Sequence, residues 1–338
     1  MIRYGKSSKF LNKKFDFSAN EQLCNEENKH LSEYKKSPKR EFCINCKTPL
    51  KKIIFTRKEI KYFECNNCGH INAEYQITEE FNSYLYNNIE FVKDYLMHDD
   101  KQYIQRMEDI YLPKANFLIE SILNDNINPN DLQFFDYGCG SGYFVYAMTQ
   151  LGYTINGTDL SNEQVQLANK MLTSINQNTT NKVIPLVDNN IQKLQTNVLS
   201  MIGVLEHLEN PNRFLEMIAT KNIQYIYVLV PTFSLSDYIQ LAFPDVYDRH
   251  LGVAHTHLYT ENSLKKFFST YGYEPISEWW FGGDAFDLFR NISTTLSDKN
   301  VDMKIFQQYY MNIIDEIQLS IDKKHACSEV HMLFKKIN

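Results

Sequence analysis

The chain of 338 residues is 43% hydrophobic and 22% charged, and its formal net charge at pH 7 is −6. This composition is typical of a soluble globular protein and argues against a disordered or fibrous one, and the length favours two folded units of unequal size. The longest apolar run, residues 223–230, is too short to cross a bilayer, and the first ten residues lack the apolar core of a signal peptide. We therefore expect a cytoplasmic protein without a membrane span.

The beginning of the chain is polar. Residues 1–40 are rich in asparagine and lysine and only weakly periodic, so we predict a loosely ordered basic arm. Residues 1–61 hold 16 Lys and Arg against 7 Asp and Glu, whereas the rest of the chain holds 19 against 34. Because no basic cluster in the arm is dense, the pattern favours a solvated tail over a phosphate-binding patch.

Residues 41–78 contain four cysteines in two C-x2-C pairs, which are Cys43, Cys46, Cys65 and Cys68. Two such pairs joined by a hairpin supply the four thiolates of a closed, tetrahedral zinc site. The intervening KKIIFTRKEIKYFEC has enough β-branched and aromatic residues to form that hairpin. Disulfides are disfavoured in the cytoplasm, and a redox centre needs only one C-x-x-C. The spacing therefore predicts a small zinc ribbon.

An aromatic segment with helical periodicity, residues 79–114, is predicted to connect the ribbon to a larger domain over residues 115–338. In that domain LQFFDY is predicted to be a buried strand, GCGSG a turn and YFVYAMTQLG a helix. YTINGTDL then predicts a second strand, and SNEQVQLANKML a second helix. The domain therefore opens with a β-α-β unit.

The turn of this unit indicates the kind of ligand. Gly138, Gly140 and Gly142 allow a ligand to approach the backbone at the start of the first helix, and Asp159 at the end of the second strand can bind two ribose hydroxyls. A dinucleotide fingerprint would require a third glycine at Tyr143. The pattern predicts a nucleoside-containing ligand other than NAD.

The stretch DYGCGSG resembles the first motif of class I S-adenosylmethionine-dependent methyltransferases. Further landmarks of that family follow in order: Asp159, then Asp188 after KVIPLV, then VLSMIGVLEHLENP. The resemblance implies an α/β fold with a Rossmann-like, seven-stranded mixed sheet, and S-adenosylmethionine as cofactor. The cofactor-binding residues it implies are Asp136, Gly138, Gly140, Gly142, Asp159, Leu160, Asp188, Ile202 and Gly203.

The remaining strands of such a sheet can be assigned. IQYIYVLVP is predicted to be the fifth strand, ENSLKKFFSTYGYEPISEWWF a helix followed by the sixth, and ACSEVHMLFKKI the antiparallel seventh. The sequence departs from the family at Asn197, where an aspartate usually opens the fourth strand, and at Asn189 and Asn190. These departures could alter the adenine contacts.

Transfer to a hydroxyl requires a base that removes its proton. Candidates are Glu206 and His207 after the fourth strand, and His255, His257 and His250 in YDRHLGVAHTHLYT.

The candidates also have structural explanations. Glu206 and His207 could instead fix the loop that follows the strand, and His257 could pack beside Tyr259. His255 is favoured as the base because it resembles the family pattern H-x-h-x-x-T ahead of a helix. Some quinone-type enzymes hold a divalent metal with E-x-x-E-H, but the first position here is Gly203, which argues against such a metal.

A zinc ribbon ahead of a methyltransferase domain with V-L-E-H resembles bacterial enzymes that methylate sugars, often nucleotide-linked sugars destined for surface polysaccharides. This resemblance implies a small-molecule acceptor. An RNA methyltransferase is an alternative, disfavoured by the acidic main domain and the lack of an N-P-P-Y motif. A non-catalytic S-adenosylmethionine-binding module is a third alternative, disfavoured by the intact glycine motif.

Overall fold

The computed structural model describes residues 1–6, 19–86, 99–175, 179–186, 194–248, 250–251, 255–297, 299 and 301–337. The strands are β1 (Ile2–Tyr4), β2 (Lys52–Arg57), β3 (Ile60–Glu64), β4 (Ile71–Ala73), β5 (Phe134–Tyr137), β6 (Ile155–Asp159), β7 (Val183–Pro185), β8 (Val198–Ile202), β9 (Tyr225–Pro231), β10 (His257–Leu258), β11 (Tyr273–Phe281) and β12 (Glu329–Lys336).

The α-helices are α1 (Asn20–Tyr34), α2 (Glu79–Tyr86), α3 (Asp100–Arg106), α4 (Leu112–Asn124), α5 (Tyr143–Gln150), α6 (Asn162–Ile175), α7 (Pro211–Ala219), α8 (Leu235–Ala242), α9 (Glu261–Thr270), α10 (Asp284–Ser297) and α11 (Lys304–Asp322). A π-helical turn (Met107–Tyr111) joins α3 to α4, and short 3-10 turns cover Pro129–Asp131 and Leu205–His207.

The main sheet has the strand order β1-β11-β12-β9-β8-β5-β6-β7 among the described residues. Strands β5 to β9 pair in parallel, and β12 is antiparallel to both of its neighbours. From β7 to β11, this is the order and direction of the mixed class I methyltransferase sheet. The predicted fold class is confirmed, and β1 adds an eighth strand parallel to β11.

Helices cover both faces of the sheet, which explains why its central strands are continuous apolar runs. All seven residues of β9 are buried. Tyr225 and Tyr227 pack with α4, α5 and α6, whereas Ile226 and Val228 pack with α7 and α9. No helix in the described ranges is long and apolar enough to cross a bilayer.

The ribbon forms a second sheet with the order β10-β4-β3-β2. The predicted hairpin is present as β2 and β3, which pair in antiparallel fashion. The fourth strand, β10, comes from the larger domain and pairs with β4. The ribbon and the larger domain therefore share a sheet, while the predicted boundaries at residues 41, 79 and 115 remain a proposal.

The prediction of a loosely ordered arm over residues 1–40 was wrong for two segments. Ile2–Tyr4 form β1, and Asn20–Tyr34 form α1, whose Leu31 and Tyr34 are buried against the ribbon. The reason is tertiary: β1 has only three residues and depends on β11, and α1 depends on the apolar face of the ribbon. Between β11 and β12 the chain also forms α10 and α11, to which the sequence analysis assigned no structure.

Candidate active site

The glycine turn lies between the end of β5 and the start of α5. Gly138 and Gly142 have φ angles of 69° and 76°, in the left-handed region that favours glycine. A Cβ on Gly142 would lie 2.6 Å from the Cβ of Ala168, and one on Gly138 would lie 2.7 Å from Val204. The turn therefore packs tightly against α6 and against the segment after β8. The third glycine, Gly140, lies between them with φ 54°.

Asp159 ends β6 directly beside this turn. Its Oδ2 accepts a hydrogen bond from the Gly140 N–H at 2.7 Å, and its Oδ1 accepts one from the Ser161 N–H at 2.9 Å. Burial raises the pKa of Asp159, and these backbone donors oppose the shift. A carboxylate has about four lone-pair sites, so both oxygens can accept further bonds from two hydroxyls. The next side chain, Leu160, is 71% exposed and offers an apolar surface.

The other implied cofactor residues lie on β5 and at the end of β8. Asp136 is buried, and its Oδ1 accepts a hydrogen bond from Ser200 Oγ at 2.6 Å. Burial raises the pKa of Asp136 to about 7, and Asp159 adds to this shift. Ile202 ends β8, and Gly203 follows with φ 70° and donates its N–H to Leu229 O at 3.0 Å.

The other four positions named from the sequence are Asp188, Asn189, Asn190 and Asn197. Asp188, Asn189 and Asn190 fall outside the described residues. Asn197 lies at the amino end of β8, where its Oδ1 accepts from the Gln133 N–H at 2.9 Å. It lines a cavity of about 530 Å³ with Gln133 and Lys221, at the opposite ends of the strands from the glycine turn. Asn197 therefore belongs to the strand connection, away from the glycine turn.

A cluster of aromatic side chains beside the glycine turn was not predicted from the sequence. The Tyr103 hydroxyl donates to Ser141 O at 2.8 Å, and the rings of Tyr103 and Tyr111 stack on the ring of Tyr143. The Arg106 guanidinium lies over the Tyr143 ring, 5.3 Å from its centroid. Within the described part of the chain, neither Arg106 Nε nor the Tyr143 hydroxyl has a hydrogen-bond partner, although both are buried.

These orphaned groups fit an anionic ligand, because a guanidinium binds carboxylates strongly. Arg106 directly precedes the π-helical turn, and such turns are frequent at functional sites. The residues have no characteristic spacing, since they come from the helical connector and from α5. The available sequence signal was the concentration of aromatic residues in the connector.

A second cluster of side chains lies at the segment that follows β8, beyond Val204 in the chain. Glu206, His207 and His255 each offer a donor atom, and these atoms lie within 4.8 Å of one another. The Glu206 Oε1 to His207 Nε2 distance is 3.8 Å, and the ring centroids of His207 and His255 are 5.5 Å apart. The structure thus brings together three of the five candidate bases. One carboxylate and two imidazoles are also groups that can ligate a metal ion.

The hydrogen bond of His255 determines its tautomer. Its Nδ1 lies 2.9 Å from His250 O. Because a carbonyl only accepts, Nδ1 must carry the proton, and the Nε2 of the neutral ring is then an acceptor. This is the form that a general base requires.

The other two candidate histidines, His250 and His257, have different hydrogen-bond partners. His250 is buried, with Nδ1 3.0 Å from Asp237 Oδ1 and Nε2 3.1 Å from Ser328 O. His257 is also buried, and its Nδ1 lies 2.9 Å from His70 Nε2 in the ribbon. Burial lowers the pKa of His257 well below its usual value. His257 therefore contacts the ribbon and does not join the cluster of Glu206, His207 and His255.

The stability of the fold depends on pH through Glu206. Burial raises the pKa of Glu206 from 4.5 to about 8, so the folded protein retains a proton that the unfolded chain loses above about pH 4.5. Through this group the free energy of unfolding falls as pH rises from 4.5 towards 8. Since glutamine cannot ionise, Glu206→Gln should raise the melting temperature more at pH 8 than at pH 5. Thermal unfolding across this range measures it, with the exposed Glu209→Gln as control; equal effects at both pH values would contradict it.

The four ribbon cysteines form one cluster. The Sγ atoms of Cys43 and Cys68 are 3.7 Å apart, those of Cys46 and Cys65 are 3.4 Å apart, and all four lie within 4.8 Å of one another. Tetrahedral zinc with Zn–S bonds of about 2.3 Å places its sulfurs about 3.8 Å apart. The cluster fits a zinc ion.

A family model described as a methyltransferase domain matches residues 106–278, just over half of the chain. The chain belongs to this methyltransferase family. The match covers β5 to β10 and most of β11, and it includes the glycine turn, Asp159 and the cluster after β8. The predicted enzyme class is therefore confirmed.

Individual proteins are similar to this methyltransferase at low sequence identity. A ubiquinone biosynthesis O-methyltransferase of Rickettsia bellii is 29% identical over 104 residues, which make up 30% of this chain and 42% of the relative. The chain thus spans less than half the length of this curated relative.

Two solved methyltransferase structures are similar to this chain at low sequence identity. Magnesium protoporphyrin IX methyltransferase from Synechocystis PCC 6803 is 10% identical, with a TM-score of 0.49 over 76% of this chain and 97% of that one. Geranyl diphosphate C-methyltransferase from Streptomyces coelicolor A3(2) is 10% identical, with a TM-score of 0.42 over 70% and 84%.

Proposed function

We propose that this methyltransferase uses S-adenosylmethionine to methylate a hydroxyl of a sugar, in particular a nucleotide-linked sugar for surface polysaccharide. The observation that carries the proposal is the placement of His255, whose Nδ1 lies 2.9 Å from a backbone carbonyl, in one group with Glu206 and His207 beyond the carboxyl end of β8. Val204 links this group to the glycine turn, so the base and the cofactor site are neighbours.

The cofactor assignment rests on the glycine turn and its surroundings. Asp159 can accept both ribose hydroxyls while keeping its bonds to Gly140 and Ser161. Leu160 would cover the adenine, and Arg106 would hold the carboxylate at the other end of the cofactor. Bound S-adenosylmethionine supplies a methyl group on a sulfonium leaving group.

The cofactor assignment is tested by calorimetry with S-adenosylhomocysteine. Asp159→Ala should weaken binding by about tenfold or more, because two charge-assisted hydrogen bonds are lost. Asp131→Ala is the control, since this exposed aspartate lies before β5, at the opposite end of the strand from the turn. Unchanged affinity in Asp159→Ala, or tight binding of NAD by the parent protein, would contradict the assignment.

The acceptor assignment rests on the base. A sugar hydroxyl becomes a competent nucleophile only as its proton leaves, and a neutral imidazole can take that proton near pH 7. An amine acceptor needs less help. RNA is disfavoured because the chain after residue 61 holds 19 basic and 34 acidic residues, whereas an RNA-binding surface needs excess positive charge.

The acceptor is tested by transfer of a labelled methyl group to a panel of nucleotide-linked sugars, free sugars, small amines and transcribed RNA. The proposal expects alkali-stable label in a nucleotide-linked sugar. Transfer only to an amine or to RNA would overturn the acceptor assignment and leave the cofactor assignment intact.

The ribbon is proposed to hold one structural zinc ion through Cys43, Cys46, Cys65 and Cys68. Four thiolates close the coordination shell, so the metal would stabilise the fold of the ribbon and take no part in the chemistry. A cytoplasmic location belongs to the same proposal, because thiolate ligands persist in a reducing compartment.

A further inference from the structure

The sheet of the ribbon includes a strand from the segment of the larger domain that carries His255. Strand β10 pairs with β4 in the register His257 with Asn72 and Leu258 with Ile71. Beyond this pairing, the Ala73 N–H donates to Thr256 O at 2.9 Å. The residue immediately after His255 is therefore bound to the backbone of the ribbon.

One side chain of the ribbon reinforces this attachment. His70 Nε2 lies 2.9 Å from His257 Nδ1, and His70 Nδ1 lies 3.2 Å from Ser263 Oγ at the start of α9. The ring of His70 also packs edge-on against the ring of Tyr259, with centroids 4.6 Å apart. His70 and His257 have no exposed surface, and a hydrogen bond between buried polar groups is costly to lose.

The two C-x2-C turns of the ribbon, here called the cysteine knuckles, also form hydrogen bonds around His70. Asn72 Nδ2 donates to His70 O at 3.0 Å, and Asn72 Oδ1 accepts from the Ile44 N–H at 3.0 Å. Asn45 Nδ2 donates to Ser263 O at 3.0 Å, and Asn262 Nδ2 donates to Cys68 O at 3.0 Å. Both knuckles are thus bonded to the network around His70.

We propose that His70 is a positioning residue for methyl transfer: through His257 and the pairing of β4 with β10, it fixes the placement of His255. The proposal rests on the proposed role of His255 as base. Two contacts of this segment bear on the placement of His255: its Nδ1 is held by His250 O, and the chain just after it is held by the ribbon. A base must lie within hydrogen-bond reach of the proton it removes, so a small displacement is costly.

The test compares His70→Ala and His70→Gln with the parent protein, and uses His30→Ala as the matched control. His30 lies on α1 and contacts Tyr84 at 3.1 Å. His70→Ala should lower kcat by roughly 10- to 100-fold, the effect expected of a base displaced by about 1 Å. Affinity for S-adenosylhomocysteine should stay within about twofold, because the glycine turn is untouched. His70→Gln should recover part of kcat, since its amide can still hydrogen-bond His257.

A second readout is independent of the acceptor. In protein with isotope-labelled histidine, the NMR ring signal of His255, assigned with His255→Gln, should shift in His70→Ala and in His70→Gln but not in His30→Ala. If His70→Ala does not fold, His70→Gln alone must shift the signal. An unshifted signal, or a kcat equal to that of His30→Ala, would overturn the proposal. Absence of methyl transfer by the parent protein would count against the proposed acceptor, while the NMR comparison would still decide the role of His70.

Discussion

Replacing His255 by alanine is expected to lower kcat by roughly two to four orders of magnitude, the usual contribution of a general base. The affinity for S-adenosylhomocysteine should remain near that of the parent protein, because the glycine turn and Asp159 are unchanged. Steady-state kinetics on the acceptor found in the panel, with calorimetry in parallel, measures both quantities. The pattern follows from the tautomer of His255, whose Nδ1–H is held by a backbone carbonyl.

His207→Ala is the matched comparison, since its ring is 5.5 Å from that of His255. It should lower kcat less, and more of its effect should appear in stability or binding. Near-parental kcat in His255→Ala, with turnover abolished in His207→Ala or Glu206→Ala, would place the base on the segment after β8. If none of the three variants changes kcat, the acceptor does not need a protein base, and the sugar hydroxyl loses its chemical support.

Cys68→Ser is expected to release the ribbon from the rest of the fold. With one thiolate missing, the cluster can no longer form a closed zinc shell, and structural zinc contributes on the order of 10 kcal/mol to small metal-binding folds. The melting temperature should fall by about 10 °C or more. Amide exchange in residues 41–78 should accelerate more than in β5 to β9. Removal of zinc from the parent protein by a chelator should have the same effect, and metal analysis of the parent should give one zinc per chain.

Cys24→Ser makes the same chemical change outside the cluster. Cys24 lies on α1 and contacts Asp245 O at 3.8 Å, so this variant should keep its zinc and lose little stability. A parent protein without zinc, whose four ribbon thiols react freely, would refute the zinc assignment. A stable Cys68→Ser variant with full zinc content would also count against a four-cysteine shell.

Much of the main sheet could be predicted because its strands carry strong local signals. The apolar runs that form β8 and β9 are buried on both faces, and the stretch DYGCGSG places a tight turn between β5 and α5. β1 could not be found in this way. Ile2 and Tyr4 favour strands, but three residues are too few to give a strand pattern, and the pairing with β11 depends on a segment far along the chain.

The candidate site was predictable to a similar extent. Asp159 follows from the β-α-β pattern, and Glu206 and His207 follow from the motif after β8. The surroundings of His257 could not be read from the sequence, because its partner His70 is far away along the chain. Arg106 was missed for the same reason: its proximity to Tyr143 depends on how the connector packs on α5.

The position of β10 affects how the protein forms during synthesis. The cysteine knuckles and β2 to β4 leave the ribosome early, but β10, which completes their sheet, follows only after more than half of the chain length. Until then β4 has an unpaired edge, and such edges attract other strands. Early metal capture would hold the nascent ribbon closed during this delay. The order of events in the cell would then be metal first and methyltransferase site last, since His255 lies two residues before the start of β10.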